Sequence, residues 1–275
     1  LHGTTSVILV THNAEVVLSS CLSALAEQTE LPAAVALVDS GSADTAYLRP
    51  YADQGSTKVV MAENIGFSQA NNLGWQVVGQ DAEFVLFLNP DAFPAPDSIE
   101  QACAFLNEHA EVGAVGGRLL GFSADQGLPT GLLDSTGVFR KWYGCWHDRD
   151  HGQPDSGQHR EQELLPAICG AFLFCRNAAL KQAALPGGAI FDPDFFLYKE
   201  DIELCLRLRK KGWRLAYLPD IRVHHCRGWQ ADRRRVPYKI RLIAAKSELL
   251  LYKKHPSPYI LWAVFKYLLV RGLRL

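Results

Sequence analysis

Apolar residues fall into two rhythms along the first hundred or so positions. Short runs that suit buried strands occupy 6–11 (SVILVT), 34–39 (AVALVD), 57–62 (TKVVMA) and 84–89 (FVLFLN). Between them, apolar positions recur at helical spacing near 14–27, 44–52, 68–79 and 96–109. Strands separated by helices of this length predict parallel βαβ units with right-handed crossovers, hence an α/β, Rossmann-like domain with a mostly parallel central sheet flanked by helices. In such sheets ligands bind outside the carboxyl ends of the strands. Three strand ends are polar: Thr11-His12-Asn13, Asp39-Ser40-Gly41-Ser42 and Asn89-Pro90-Asp91.

From Gly121 to about Leu165 neither rhythm holds, and Gly, Pro, Asp, His and two tryptophans (Trp142, Trp146) follow no period. The expectation there is a long surface excursion of the kind that serves as a lid or sets specificity. The pattern resumes with a strand over 167–176, a helix over 199–212, and two short strands over 214–219 and 221–225.

Composition narrows the classes. With 48% hydrophobic and 21% charged among 275 residues, the chain has enough apolar surface for a substantial core. Seven cysteines, odd in number and without a C-x-x-C pair, fit a reduced cytoplasmic setting better than a disulfide framework or a zinc site. The net charge of -1 hides a segregation, because the segment from Arg233 onward holds eleven of the 28 Lys/Arg and one of the 29 Asp/Glu. A basic tail on an acidic body points to an anionic partner. No nucleic-acid recognition motif accompanies it, so nucleic acid is not expected.

The candidate chemistry clusters at loops. Asp39 and Ser42 flank a glycine that lets a ligand approach the backbone, although an Asx-turn capping the next helix explains the same residues. Asn64 and Gly66 open a helix whose N-terminus would accommodate a phosphate, and Asn71 and Asn72 lie in a helical stretch that Asn does not favour. Asp91 follows a proline that cannot continue a ladder, so the chain is expected to leave the sheet there, with a carboxylate suited to a hard divalent cation such as Mg²⁺ or Mn²⁺. Glu200 and Asp201 begin an apolar helix whose dipole favours ionised carboxylates, and an ionised carboxylate can act as a general base. Of His224 and His225, adjacent on a strand, at most one faces a given site.

In order along the chain, VILVTHN, LVDSGSAD, ENIGFSQANNLG, FLNPDAFP, CGAFLFCRNAAL and FDPDFFLYKEDIELCLRLRKKGW resemble the inverting glycosyltransferase family 2 with its GT-A fold, most closely its rhamnosyltransferase-like branch. The resemblance spans roughly residues 5–230, with 231–275 as a helical extension. It implies a nucleotide-sugar site at Thr11, Asn13, Asp39, Ser42, Asn64, Gly66, Asn72, Asn89 and Asp91, a metal at Asp91 with His225 or His224, Asp201 as general base, and an acceptor side near Gly170, Tyr198, Glu200 and Trp142. Asn89 stands where the family's D-x-D pattern has its first acid, which leaves the ion fewer charged ligands. The implied reaction transfers a sugar, with dTDP-rhamnose or a UDP-sugar as donor, to a saccharide or lipid-linked acceptor in bacterial polysaccharide assembly. Two other classes stand beside it. A nucleotidyltransferase would need a Gly-rich basic loop after the first strand, which THNAEVV is not; the alternative of a non-catalytic saccharide-binding or scaffold protein that retains the fold stays open, with the presence of both Asp91 and Asp201 arguing against it.

The tail, YKIRLIAAKSELLLYKKHPSPYILWAVFKYLLVRGLRL, reads as two helices split by Pro256 and Pro258. Its apolar and aromatic residues interleaved with Lys and Arg suit peripheral attachment to the inner leaflet, or packing on the body or on a partner.

Overall fold

In the computed structural model the described residues are 4–52, 55–226 and 236–273. The domain boundary expected at residue 230 lies outside them. One ten-stranded sheet forms the spine. Its first half follows the predicted alternation: β1 (Thr5–Thr11), α1 (Leu18–Ala26), β2 (Ala34–Ser40), a 3₁₀ turn (Ala46–Tyr51), β3 (Thr57–Ala62), α2 (Phe67–Gly74) running into a π-turn (Trp75–Gly79), and β4 (Phe84–Leu88). Strands β1 and β4 are buried along their whole length, because helices cover both faces of a parallel sheet. β2 pairs with β1 and β3, and β1 with β4, all in parallel.

The chain does not leave the sheet at Asp91. A three-residue strand, β5 (Ala92–Pro94), follows at once, and α3 (Ser98–Glu108) succeeds it. The region read as irregular is largely β-structure: β6 (Val112–Ser123), β7 (Leu128–Ser135), β8 (Val138–Arg140), β9 (Trp146–Asp148) and β10 (Glu163–Leu164). Its signal is weak because several of its pairings are made by segments of two or three residues. Thr136, fully buried, accepts from the Arg149 guanidinium (2.9 Å), which also pairs with Glu163 and stacks over Phe139 at 4.6 Å.

After β11 (Phe172–Arg176) come α4 (Asn177–Ala183), α5 (Glu200–Lys210) and β12 (Arg214–His225). The two expected short strands are thus one strand, bulged between Leu218 and Arg222 where Pro219 cannot donate to the ladder. The strand order β10-β12-β6-β11-β4-β1-β2-β3 makes the sheet mixed: β11 runs antiparallel to both β4 and β6, whereas β12 runs parallel to β6. Two helices, α6 (Tyr238–Lys254) and α7 (Ile260–Leu273), complete the chain. α6 docks on the body: Ser247 donates to the Leu197 carbonyl (2.8 Å), Lys254 pairs with Asp192 (2.7 Å), and His255 meets Glu203 (3.1 Å).

Candidate active site

The ends of β1, β2 and β4, with the loop before α2, meet as the sequence led one to expect. Asp39, 1% exposed, accepts from the Ser42 N–H (2.9 Å) and hydroxyl and from Thr11 (3.3 Å) and Tyr47 (3.3 Å). The Asx-turn itself is formed by Asp44, whose Oδ1 accepts the Ala46 N–H (2.8 Å). Asn13, at φ 52°, accepts the Ala43 N–H (2.8 Å) and donates its own N–H to Ser42 (2.7 Å), which knits the two loops together. Two glycines make close approach possible. At Gly41 (φ 73°) a Cβ would lie 2.6 Å from the Asn64 nitrogen, and at Gly66 (φ 80°) it would lie 2.6 Å from the Phe196 carbonyl. Positive φ without a side chain is what these turns require.

Asn72 stands outside this cluster. Its amide oxygen accepts from Ile190 (3.0 Å) and Phe191 (2.8 Å), and its NH₂ donates to the Phe191 carbonyl (2.8 Å), so its polar task is to hold the 190–191 segment rather than a nucleotide.

Because β5 pairs antiparallel with β12, His225 lies opposite Ala92 and next to Asp91. Its Nε2 is 3.3 Å from Asp91 Oδ1, with Asn89 Nδ2 at 3.5 Å. His224 points elsewhere and packs on the Phe122 ring at 5.8 Å. On the other side of His225, Nδ1 lies 2.8 Å from Oδ2 of Asp134, a carboxylate with no exposed surface. A carboxylate only accepts, so Nδ1 carries the proton and donates, leaving Nε2 to face Asp91. Two acceptors face to face call for a proton or a cation between them. Without a cation, burial would lower the His225 pKa, but the bonds to Asp134 and Asp91 outweigh it and raise it to about 9.

That donor set fits a divalent ion. Adjacent ligands of an octahedral ion at ~2.1 Å lie about 3 Å apart, close to the observed separation, and a carboxylate-oriented histidine is a usual metal ligand. Among the described residues no group of three His, Cys, Asp or Glu forms a ready-made metal cage. Asp91 and His225 would therefore rely on oxygens from elsewhere to complete the shell.

Asp201 stands in the first turn of α5, preceded by Tyr198 (φ 70°) and Lys199 (φ 72°). Two consecutive left-handed residues that are not glycine cost roughly 1–3 kcal/mol each and are kept where the surroundings enforce them. The Asp201 carboxylate accepts N–H groups from Gly170 (2.9 Å) and Ile202 (2.8 Å). The helix dipole alone suggested a readily ionised acid, yet burial wins: it pushes Asp201 up, against Lys199 and both N–H groups, with Asp148 adding to the rise. Glu200 beside it, 6% exposed, is pushed up to about 8 by burial and by Asp201. The Asp91 and Asp201 ends are one ladder rung apart, since Asn89 donates to the carbonyl of Ala171, next to Gly170 (3.1 Å).

Trp142 is 86% exposed in the β8–β9 turn and packs on Tyr143, whose ring meets Trp262 of α7 at 4.8 Å. Asp134 and its neighbour His151 lay in the stretch read as irregular and were not singled out; the run Leu-Leu-Asp-Ser-Thr-Gly, two apolar residues leading into an acid, was the available signal.

A family model described as glycosyltransferase like family 2 matches residues 2–236. The chain belongs to that family. An N-acetylglucosaminyl-diphospho-decaprenol L-rhamnosyltransferase of Mycobacterium tuberculosis (strain H37Rv) is 26% identical over 240 residues, 80% of this chain and 75% of the relative. Among solved structures, GalNAc-T7 with UDP, GalNAc and Mn²⁺ superposes with a TM-score of 0.70 at 17% identity, over 98% of this family 2 chain and 58% of that one. The mannosyltransferase PcManGT from Pyrobaculum calidifontis, in complex with GDP-Man and Mn²⁺, gives 0.61 at 19% identity, over 99% and 71%. S. aureus TarS with UDP gives 0.55 at 19%, over 96% and 72%. These likenesses establish the GT-A fold for the sheet and its flanking helices.

Proposed function

We propose that this family 2 chain transfers a sugar from a nucleoside-diphosphate donor to a hydroxyl of a saccharide or lipid-linked acceptor, by a single displacement that inverts the anomeric carbon. The observation that carries the reading is the placing of two carboxylates on neighbouring strand ends: Asp91, facing His225, and Asp201, raised by burial and held by the Gly170 N–H. Asp91 and His225 would hold Mg²⁺ or Mn²⁺, and the chemistry such an ion supplies is neutralisation of charge on the departing diphosphate. Asp201, its pKa raised by burial, is a stronger base than a solvated aspartate and takes the proton of the attacking hydroxyl. Thr11, Asn13, Asp39, Ser42, Asn64, Gly66 and Asn89 shape the loops on the donor side. The name of the mycobacterial relative supports rhamnose as the donor sugar and a polyprenyl-diphosphate saccharide as acceptor; the family resemblance puts dTDP-rhamnose first and UDP-sugars second.

A lipid-linked acceptor gives the tail a purpose. No helix of the described residues is long and apolar enough to cross a membrane. α7 nevertheless exposes Leu261, Val264, Phe265 and Leu268, an i, i+3, i+4, i+7 stripe. Basic residues around it suit an anionic leaflet, so the enzyme is read as peripheral on the cytoplasmic face of the inner membrane.

The decisive variant is Asp201→Asn. Nucleoside-diphosphate binding should remain within about twofold while transfer falls by two or more orders of magnitude, since only proton abstraction is lost. Unchanged turnover removes Asp201 from the mechanism and, with it, this reading of the site.

A further inference from the structure

The segment that carries Asp201 is fastened from beyond the region the family match covers. That match ends at residue 236, and α6 (Tyr238–Lys254) begins after it. α6 nevertheless reaches both flanks of the left-handed pair Tyr198–Lys199, which leads into Asp201. Ser247, 5% exposed, donates to the carbonyl of Leu197, the residue before the pair (2.8 Å). A second tether passes through the β8–β9 turn. Tyr252, 2% exposed, donates its hydroxyl to the Gly144 carbonyl, and two residues further on the Trp146 carbonyl accepts from the Lys199 ammonium (3.4 Å). At the end of α6, Lys254 joins Asp192 (2.7 Å) and Asp194 (2.5 Å), and His255 meets Glu203 (3.1 Å). The stretch 192–203, with Asp201 inside it, is thus held near both ends and at its middle.

The turn has a reason to need holding. Neither tyrosine nor lysine favours a φ near 70°, and residues of this kind persist there only where the surroundings enforce it. The conformation also decides what Asp201 meets. It starts α5 so that the carboxylate accepts the Gly170 and Ile202 N–H groups, and it brings the Lys199 charge to bear on Asp201. Burial raises that carboxyl, Lys199 and the two N–H groups oppose the rise, and Asp148 of β9 adds to it, with Glu200 beside it on the same turn. A turn that relaxed would move the carboxylate and withdraw the Lys199 charge together.

We propose that α6 is a positioning element of the active site, in which Ser247 and Tyr252 lock the Tyr198–Lys199 turn and thereby fix the place of the Asp201 carboxylate. The inference rests on Asp201 as the base of the transferase reading and adds to it residues from outside the matched region that act through that turn.

Ser247→Ala and Tyr252→Phe each remove one hydroxyl, so each tests one tether in the intact chain. Transfer is followed with dTDP-rhamnose and a short-chain polyprenyl-diphosphate N-acetylglucosamine, the donor and acceptor classes proposed above. In each variant kcat should fall about three- to tenfold, the range expected when a reacting group shifts by a few tenths of an ångström, while nucleoside-diphosphate affinity stays within about twofold. The acid limb of the kcat profile should move to higher pH, because withdrawing Lys199 raises Asp201 and a base works deprotonated. Ser247→Thr, which keeps the hydroxyl, should return both readouts towards wild type. An α6 that merely props the fold would lower the melting temperature and leave kcat and the acid limb where they were, and that result in both variants overturns the proposal. Hydrogen exchange needs no substrate: each variant should speed exchange at 198–203 and leave 39–43 as in wild type, and unchanged exchange at 198–203 overturns the proposal as well. Asp201→Asn is assayed beside them, and undiminished turnover there overturns the reading of Asp201 as base, which is a separate failure from that of the tethers.

Discussion

Gly170→Ala isolates the positioning of the proposed base. A methyl at this glycine would lie 3.2 Å from Asp201 Cβ and 3.4 Å from its Oδ2, whereas carbon atoms in comfortable contact sit about 3.5–4.0 Å apart. One of the two must give by at least about 0.3 Å. Gly170 has little freedom, since the next residue is tied to Asn89 in the ladder, so the Asp201 carboxylate moves and its 2.9 Å bond to the Gly170 N–H lengthens. A misplacement near 1 Å can cost about 100-fold in rate, so 0.3–0.5 Å is worth roughly four- to tenfold in kcat. The stability cost of the extra methyl is about 1–2 kcal/mol, as for modest overpacking. A second readout carries the sign. The Gly170 N–H favours the charged carboxylate, so weakening that bond raises the Asp201 pKa further. A base works when deprotonated, so the acid limb of the kcat profile should move to higher pH. Initial rates of sugar transfer against pH, with calorimetric nucleoside-diphosphate affinity as control, measure both effects. An unaltered kcat with an unmoved acid limb would refute the assignment of Asp201 as a held base; a loss traced wholly to nucleotide affinity would place Gly170 on the donor side.

Asp134→Asn should lower Mn²⁺ affinity about 10- to 100-fold, read by titration in the presence of nucleoside diphosphate, because the carboxylate that orients His225 is gone; unchanged affinity would show that His225 needs no such partner. The double change Leu261→Glu and Phe265→Glu on the exposed face of α7 should shift the protein from anionic liposomes to the supernatant on sedimentation with little change in melting temperature. Retention on the liposomes would assign attachment to another surface.

The sheet was legible where strands are long and buried on both faces, as in SVILVT and FVLFLN, because such runs identify themselves without knowledge of their partners. The polar strand ends at Thr11, Asp39 and Asp91 followed from the same pattern. What escaped depends on contacts distant in sequence. β5 is three residues long and exists only because β12 returns beside it, which is also what brings His225 to Asp91 rather than His224. Asp134 becomes buried when β7 folds back on β6, and the two leucines before it are its one local mark. Helix-dipole reasoning put Asp201 in the correct turn but missed how far burial offsets the dipole. Trp142 and Asn72 came with the resemblance, which says nothing of their neighbours: Trp142 packs on Tyr143, and Asn72 holds the 190–191 backbone.

The central claim is a metal-assisted nucleoside-diphosphate site at Asp91. Calorimetric titration of the intact chain with uridine and deoxythymidine diphosphates, with and without Mn²⁺, in wild type and Asp91→Ala, tests it most directly. The account predicts binding of at least one nucleotide that is strengthened by Mn²⁺ and loses that strengthening in the variant. Binding that is indifferent to both Mn²⁺ and Asp91, or no binding of either nucleotide, would contradict it.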